Sequence, residues 1–158
     1  RAFAGCGVND TRLVICGDGP ERPGLERIAE SLGIAERVVF TGYRDRPETV
    51  YAGSDVFAMS SDTEQMPYGL LEAMAAGLPA AATDVGDIKA IVAEPNRPFV
   101  VPSGDDKALA QALARLLGSA DLRARLGRAN RIKADSEFAL DTMGLADDAW
   151  LAENASQL

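Results

Sequence analysis

Short apolar runs alternate with apolar stripes at helical spacing over the first hundred residues. Leu13-Val14-Ile15-Cys16 lies between Asp10-Thr11 and Gly17-Asp18-Gly19-Pro20 and reads as a buried strand. Leu25, Ile28, Ala29 and Leu32 then recur at helical spacing, and Gly33 ends that helix. Val38-Val39-Phe40 predicts a second strand, and Pro47 to Ala52 a short helix. Val56-Phe57-Ala58-Met59 predicts a third strand that stops at Ser60-Ser61. A helix is expected from about Tyr68 to Ala76, closed by Gly77 and Pro79. Ala80-Ala81-Ala82 is the fourth strand, a short helix follows around Ile88 to Val92, and Phe99-Val100-Val101 is the fifth strand. Beyond Gly104 the spacing is helical. Leu109, Leu113, Leu116 and Leu117 line one helix, Leu122 and Leu126 begin another, and Met143 to Leu151 carries a last one, placed at about 138–153.

Strands alternating with helices imply right-handed βαβ units. The expected fold class is therefore α/β: a Rossmann-like parallel sheet with helices on both faces, in a single unit spanning 1–158. No internal repeat, low-complexity tract or linker divides it. Ligands of such sheets bind at the carboxyl ends of the strands. The loops there are Gly17–Pro20, Thr41–Arg44, Ser60–Pro67 and Thr83–Asp87, which outline one candidate crevice.

The third of these loops leads into the stretch richest in chemistry, Glu64-Gln65-Met66-Pro67-Tyr68-Gly69-Leu70-Leu71-Glu72. Pro67 suits a helix start, since its missing N–H is not needed there and its φ is already helical. Glu64 then sits in the loop and Glu72 about one turn into the helix. A helix start offers unpaired N–H groups and partial positive charge, which suit a phosphate. Two carboxylates beside it suit hydroxyls, and the combination describes a nucleotide-sugar. Taken singly, each glutamate reads as a solvated charge, and Leu70, Leu71, Met74 and Ala75 read as core. Gly17-Asp18-Gly19-Pro20 reads first as a structural turn, with a place in the ligand wall left open. It lacks the third glycine of a dinucleotide fingerprint and the Lys-Ser/Thr of a P-loop.

Composition narrows the choice. The 158 residues carry a net charge of -8, which argues against a nucleic-acid or anionic-membrane surface. It also leaves little positive charge near a diphosphate, so helix N–H groups or cations from further protein must supply it. There is no His, so a His base and His metal ligands are excluded within the chain. The two cysteines, Cys6 and Cys16, form no disulfide or zinc pattern, and Cys16 in its apolar run is expected to be buried. No apolar run reaches transmembrane length, and no leader-like segment opens the chain.

The chain resembles the carboxyl-terminal, donor-binding half of a family-4 retaining glycosyltransferase with the two-domain GT-B fold. The resemblance rests on Arg12 through Pro20, Val38 through Tyr43, Tyr51 through Phe57, Glu64 through Gly77, Thr83 through Gly86, and Gly104-Asp105. It implies transfer of a sugar from a nucleotide-diphosphate donor without a metal or other cofactor, as a hexosyltransferase-type enzyme when full length. Glu72 would hold the ribose hydroxyls. Glu64 would meet the donor sugar or stabilise an oxocarbenium-like transition state. Backbone groups from Met66, Pro67, Tyr68, Gly69, Leu70 and Leu71 would take sugar hydroxyls and phosphates. Thr41, Gly42, Tyr43 and Arg44 would meet the base, with Gly17 and Gly19 on the donor wall. The resemblance further implies an amino-terminal domain that binds the acceptor (a saccharide, lipid or small molecule) and brings phosphate-facing cations. Its location would be cytoplasmic, with any membrane contact made through that domain. Gln65 and Asp87 stand where the family usually has glycine, a source of strain if those positions need positive φ. Lys89-Ala90 replaces a common Pro-Glu, and Arg97-Pro98-Phe99 has no assigned role. Two other readings stay open: a GT-B-like nucleotide-sugar epimerase, and a non-catalytic α/β nucleotide-binding module.

Overall fold

In the computed structural model, residues 1–138 are described. The expected helix at about 138–153 falls almost wholly outside them. After an unpredicted α1 (Ala2–Gly5) the elements follow in the predicted order: β1 (Leu13–Cys16), α2 (Arg22–Ser31), β2 (Val38–Gly42), α3 (Glu48–Ala52), β3 (Phe57–Met59), α4 (Tyr68–Ala75), β4 (Ala80–Asp84), α5 (Ile88–Ile91), β5 (Val100–Pro102), α6 (Asp106–Leu117) and α7 (Ala120–Glu137). Short 3-10 turns at Ala35–Arg37 and Glu94–Phe99 precede β2 and β5. Every strand pairing is parallel. No helix among the described residues is long and apolar enough to cross a membrane.

The strands fall into two sheets rather than one: β1 beside β2, and β3-β4-β5 with β4 in the middle. The second sheet is covered on both faces. Ala81 and Val101 point into a cluster with α1, α6 and Leu126, while Ala80, Ala82 and Val100 point into one with Leu70, Met74, Ile88, Val92 and Ala134. Alanine on β4 keeps the helix layers close. The first sheet is covered on one face only. Leu13 and Val38 join the first cluster, but the register pair Val14 and Val39 is 41% and 39% exposed. The buried-strand reading of residues 13–16 is therefore corrected: β1 alternates, and Cys16 lies on its exposed face. On α2, likewise, Ala29 is buried while Leu25, Ile28 and Leu32 are each about 40% exposed. Ala75 of α4, expected in the core, is exposed.

Other boundaries shift for local reasons. Pro67 has extended backbone (φ -78°, ψ 91°) and stands at the cap position, one residue before the helix it was expected to begin. Phe99 ends a 3-10 turn instead of opening β5. There it is buried, with the Arg115 guanidinium 4.8 Å above its ring. Arg97 donates to the Lys89 carbonyl at 3.1 Å, so the unassigned Arg97-Pro98-Phe99 stretch fastens the approach to β5 onto α5.

Two fully buried asparagines lock α7 to the sheet. Asn96 takes the N–H of Ala80 at 3.0 Å and donates to its carbonyl at 2.8 Å. Asn130 accepts from the Ala93 N–H at 3.1 Å and donates to the Leu78 carbonyl (2.9 Å) and to Asn96 Oδ1 (3.0 Å). Among the described residues no buried side-chain polar atom is left without a partner. Removing one member strands several buried groups, each costing about 1–3 kcal/mol. Asn130→Ala should therefore lower unfolding stability by about 3 kcal/mol in urea titration. A loss below about 1 kcal/mol would mean that the network carries little of the fold.

Candidate functional site

The carboxyl ends of the strands carry loops that hydrogen bonds tie together, β1 to β2, and β3 to both β4 and β5. The Glu64 loop is held from three directions. Ser61 Oγ donates to Glu64 Oε1 at 2.6 Å. The Ser61 carbonyl accepts from Thr83 Oγ1 at 2.6 Å, and Thr83, at the end of β4, is buried. Ser103, just past β5, donates to Asp62 Oδ1 at 3.1 Å. The closest constraint is steric. Gly86 has φ +52°, and a Cβ placed there would lie 2.1 Å from the Glu64 carbonyl oxygen. Only glycine lets the two backbones approach so far.

The loop passes into α4. The Pro67 carbonyl accepts from the N–H groups of Leu70 (2.9 Å) and Leu71 (3.3 Å), so those two amides are used within the helix. No side chain caps the helix start. Tyr68 and Gly69 keep the free N–H groups of a first turn. Leu70 is fully buried and offers its side chain to the core rather than to a ligand. Thr63, Glu64, Gln65, Met66 and Tyr68 line an open cleft of about 580 Å³. Glu72 stands outside that lining, exposed on α4, where its Oε2 accepts from Tyr51 Oη at 2.9 Å. Burial pushes the Tyr51 hydroxyl pKa up, and the Glu72 hydrogen bond and charge push it further, so this hydroxyl stays protonated and donates. Among the described residues neither glutamate pairs with a cation. The nearby Lys89 is held by Asp84 at 2.6 Å.

The glycine loops form a second corner. Gly17 N–H donates to the Gly42 carbonyl at 3.0 Å, and both residues have positive φ, 132° and 67°. Gly19 N–H donates to Asp18 Oδ1 at 2.9 Å, a local turn, and Thr41 Oγ1 donates to the Gly42 carbonyl at 3.0 Å. Tyr43 is 77% exposed, and Arg44 is exposed beside it. This corner brings Gly17, Gly19 and Thr41 to Arg44 together at the same strand ends, but none of them lines the cleft at Glu64. Gln65 and Asp87 carry no strain, because no described residue other than glycine has positive φ. Asp87 simply starts α5. Among the described residues no group of three or more metal-ligating side chains converges.

Sequence reasoning named both glutamates but missed what holds them. Ser61 stands only three residues before Glu64, so its hydroxyl was within local reach of the carboxylate. Tyr51, Thr83 and Gly86 act across the chain, and no local spacing reveals a partner 21 residues away.

Residues 1–133 match the family described as "Glycosyl transferases group 1". The chain belongs to this glycosyltransferase family. It is 31% identical over 129 residues to N-acetyl-alpha-D-glucosaminyl L-malate synthase of Bacillus anthracis, covering 82% of this chain and 34% of that protein. It is 41% identical over 120 residues to D-inositol 3-phosphate glycosyltransferase of Corynebacterium urealyticum, covering 71% of this chain and 28% of that one. The chain thus spans about a third of the curated relatives it matches. Among solved structures, sucrose-phosphate synthase from Thermosynechococcus elongatus superposes with TM-score 0.87 at 24% identity, over 99% of this chain and 42% of that one. Anabaena HepE, solved in complex with UDP, gives 0.86 at 24% identity over 99% and 43%. The fold is that of the GT-B glycosyltransferases.

The approach of Gly86 to Glu64 can be separated from simple backbone preference. Gly104 also has positive φ (77°) but open space around its Cα. Gly104→Ala should cost about 1 kcal/mol from conformation alone, and Gly86→Ala about 2–4 kcal/mol because the Glu64 backbone must also move. Urea unfolding of both variants decides it; equal losses would remove the steric argument.

Proposed function

We propose that this chain is the donor-binding half of a retaining glycosyltransferase that moves a sugar from a nucleotide-diphosphate-sugar to an acceptor. The observation that carries the reading is the start of α4. It is an uncapped helix terminus flanked by Glu64 and Glu72, each held by a neutral hydroxyl donor and neither neutralised by a described cation. Such carboxylates keep acceptor capacity for ligand hydroxyls, while the first-turn amides and the helix dipole favour phosphate oxygens. The reading is further supported by family membership and by the UDP bound in the similar Anabaena structure.

In this reading Glu72 accepts from the ribose hydroxyls. Glu64 faces the transferred sugar across the cleft, where its negative charge stabilises positive charge developing at the reacting carbon. The amides of Tyr68 and Gly69 stabilise the departing diphosphate, an electrostatic task for donors already in place. Gly17, Gly19 and Thr41 to Arg44 bound the nucleoside side. Among the described residues no cation pairs with either glutamate. A further domain supplies cations and the acceptor site, so the chain by itself binds donor without transferring sugar. Transfer would need no metal, since the helix start takes the role a divalent cation would otherwise have. The proposed place of action is the cytoplasm, with any membrane contact made through the further domain.

The two glutamates should fail differently in the complete enzyme. Glu72→Ala should weaken binding of the bare nucleotide about ten- to a hundredfold, since a hydrogen bond to a charged group contributes about 1.5–3 kcal/mol. Glu64→Ala should leave that binding nearly unchanged and lower kcat, because its contribution lies in the transition state. Calorimetric titration beside steady-state kinetics reads both. Equal loss of bare-nucleotide affinity in the two variants would overturn the roles, and no loss in either would return both residues to plain surface charge.

Metal independence is tested on the same preparation. Donor binding should survive excess EDTA with unchanged affinity. Loss in EDTA followed by recovery with Mg²⁺ or Mn²⁺ would replace the helix-start argument with a metal bridge.

A further inference from the structure

Glu72 is exposed, yet its carboxylate is not left to wander. Tyr51 reaches it from α3, 21 residues away in sequence, and donates to Oε2 at 2.9 Å. Tyr51 is itself well fixed. Its ring packs against Phe57 of β3, centroids 6.3 Å apart and tilted by 57°. Its hydroxyl sits beside Gly69, where an added Cβ would be 3.6 Å from Oη. The donor therefore belongs to a ring braced by the sheet and placed over the first turn of α4. The polarity of the bond is also fixed. Burial, then the Glu72 hydrogen bond and charge, raise the Tyr51 pKa, so tyrosine donates and glutamate accepts.

A free glutamate on a helix surface samples many rotamers, and ligand binding must restrict them. A carboxylate has about four lone-pair sites, of which Tyr51 fills one. The whole of Oε1 and one site on Oε2 remain, and two acceptor sites are what a vicinal diol requires. A purely structural role would ask nothing of the direction of this carboxylate. A partly exposed tyrosine–glutamate contact adds little to folding, while the packing on Phe57 needs the ring and not the hydroxyl.

We propose that Tyr51 is a positioning residue: its hydroxyl holds Glu72 in the rotamer that accepts the 2′,3′-diol of a nucleotide ribose. This rests on the reading of Glu72 as the ribose-binding carboxylate. Tyr51 touches no ligand; it acts by reducing the freedom that Glu72 loses on binding.

The test is Tyr51→Phe, which keeps the ring and its contact with Phe57 and removes only the donor. The probe is whichever of UDP, GDP and ADP the unaltered protein binds most tightly, beside its 2′-deoxy counterpart, by calorimetric titration, with a thermal melt as the folding control. Tyr51→Phe should weaken the ribonucleotide about three- to tenfold, as one hydrogen bond lost predicts, and the deoxynucleotide less than twofold. Glu72→Ala combined with Tyr51→Phe should be no weaker than Glu72→Ala alone, because the two act through one contact. Loss in Glu72→Ala with none in Tyr51→Phe would overturn the proposal and leave the ribose reading standing. Equal weakening of ribo- and deoxynucleotide by Tyr51→Phe, with a lowered melting point, would make the residue merely structural and overturn it too. No loss in Glu72→Ala, or no binding of any of the three nucleotides, would remove the reading underneath and the proposal with it.

Discussion

A strand buried on both faces can satisfy its backbone only through its neighbours, and β4 is such a strand. Ala80, Ala81 and Ala82 are fully enclosed, paired with β3 on one edge and β5 on the other. Their small side chains set how closely the two helix layers approach. Where pairing gives way at the start of β4, Asn96 takes over both polar groups of Ala80, and Asn130 links that point to α7. Close backbone approach recurs at Gly127 of α7, where a Cβ would lie 1.9 Å from the Gly77 carbonyl oxygen. The rigidity of this layer is what lets its far end serve as a fixed platform.

That platform positions the chemistry. Thr83 continues β4 and holds the backbone of Ser61, whose hydroxyl holds Glu64; Gly86, three residues on, presses against the Glu64 carbonyl. The carboxylate is thus referenced to the core through two contacts of different kinds, one polar and one steric. Glu72 is referenced through Tyr51 to β3, the neighbouring strand. Both acidic groups thus take their placement from adjacent parallel strands, although one lies in a loop and the other on a helix.

Much of this was legible in the chain. Alternating short apolar runs and helical stripes returned the order of every element from β1 to α7, because each strand is a short apolar run bounded by turn residues and the longer helices carry apolar stripes. α1, four residues at the very start of the chain, was not visible: no strand or turn signal precedes it to mark its beginning, as Thr83 to Asp87 do for the equally short α5. The division into two sheets was not visible either. Val14 and Cys16 read as core because apolarity reports preference, while exposure depends on which neighbours cover a face. The glutamates stood out through their spacing around Pro67. Their partners did not, since a hydrogen bond between α3 and α4 leaves no mark in the local sequence of either.

The helix starts carry a consequence for how this protein can change. α6 and α7 are capped by Asp105 and Ser119, whose side chains accept from Ala108 and Leu122 N–H, whereas α4 begins at Pro67 with nothing in that place. A good cap contributes about 1 kcal/mol. An Asp at position 67 could supply that cap, but on the proposed reading it would set a carboxylate where the donor's phosphates are bound. On that reading durability and use oppose each other at a single residue. A population drifting toward thermal tolerance would meet this position as a trap, gaining a tighter fold as it lost the electrostatic openness of the cleft.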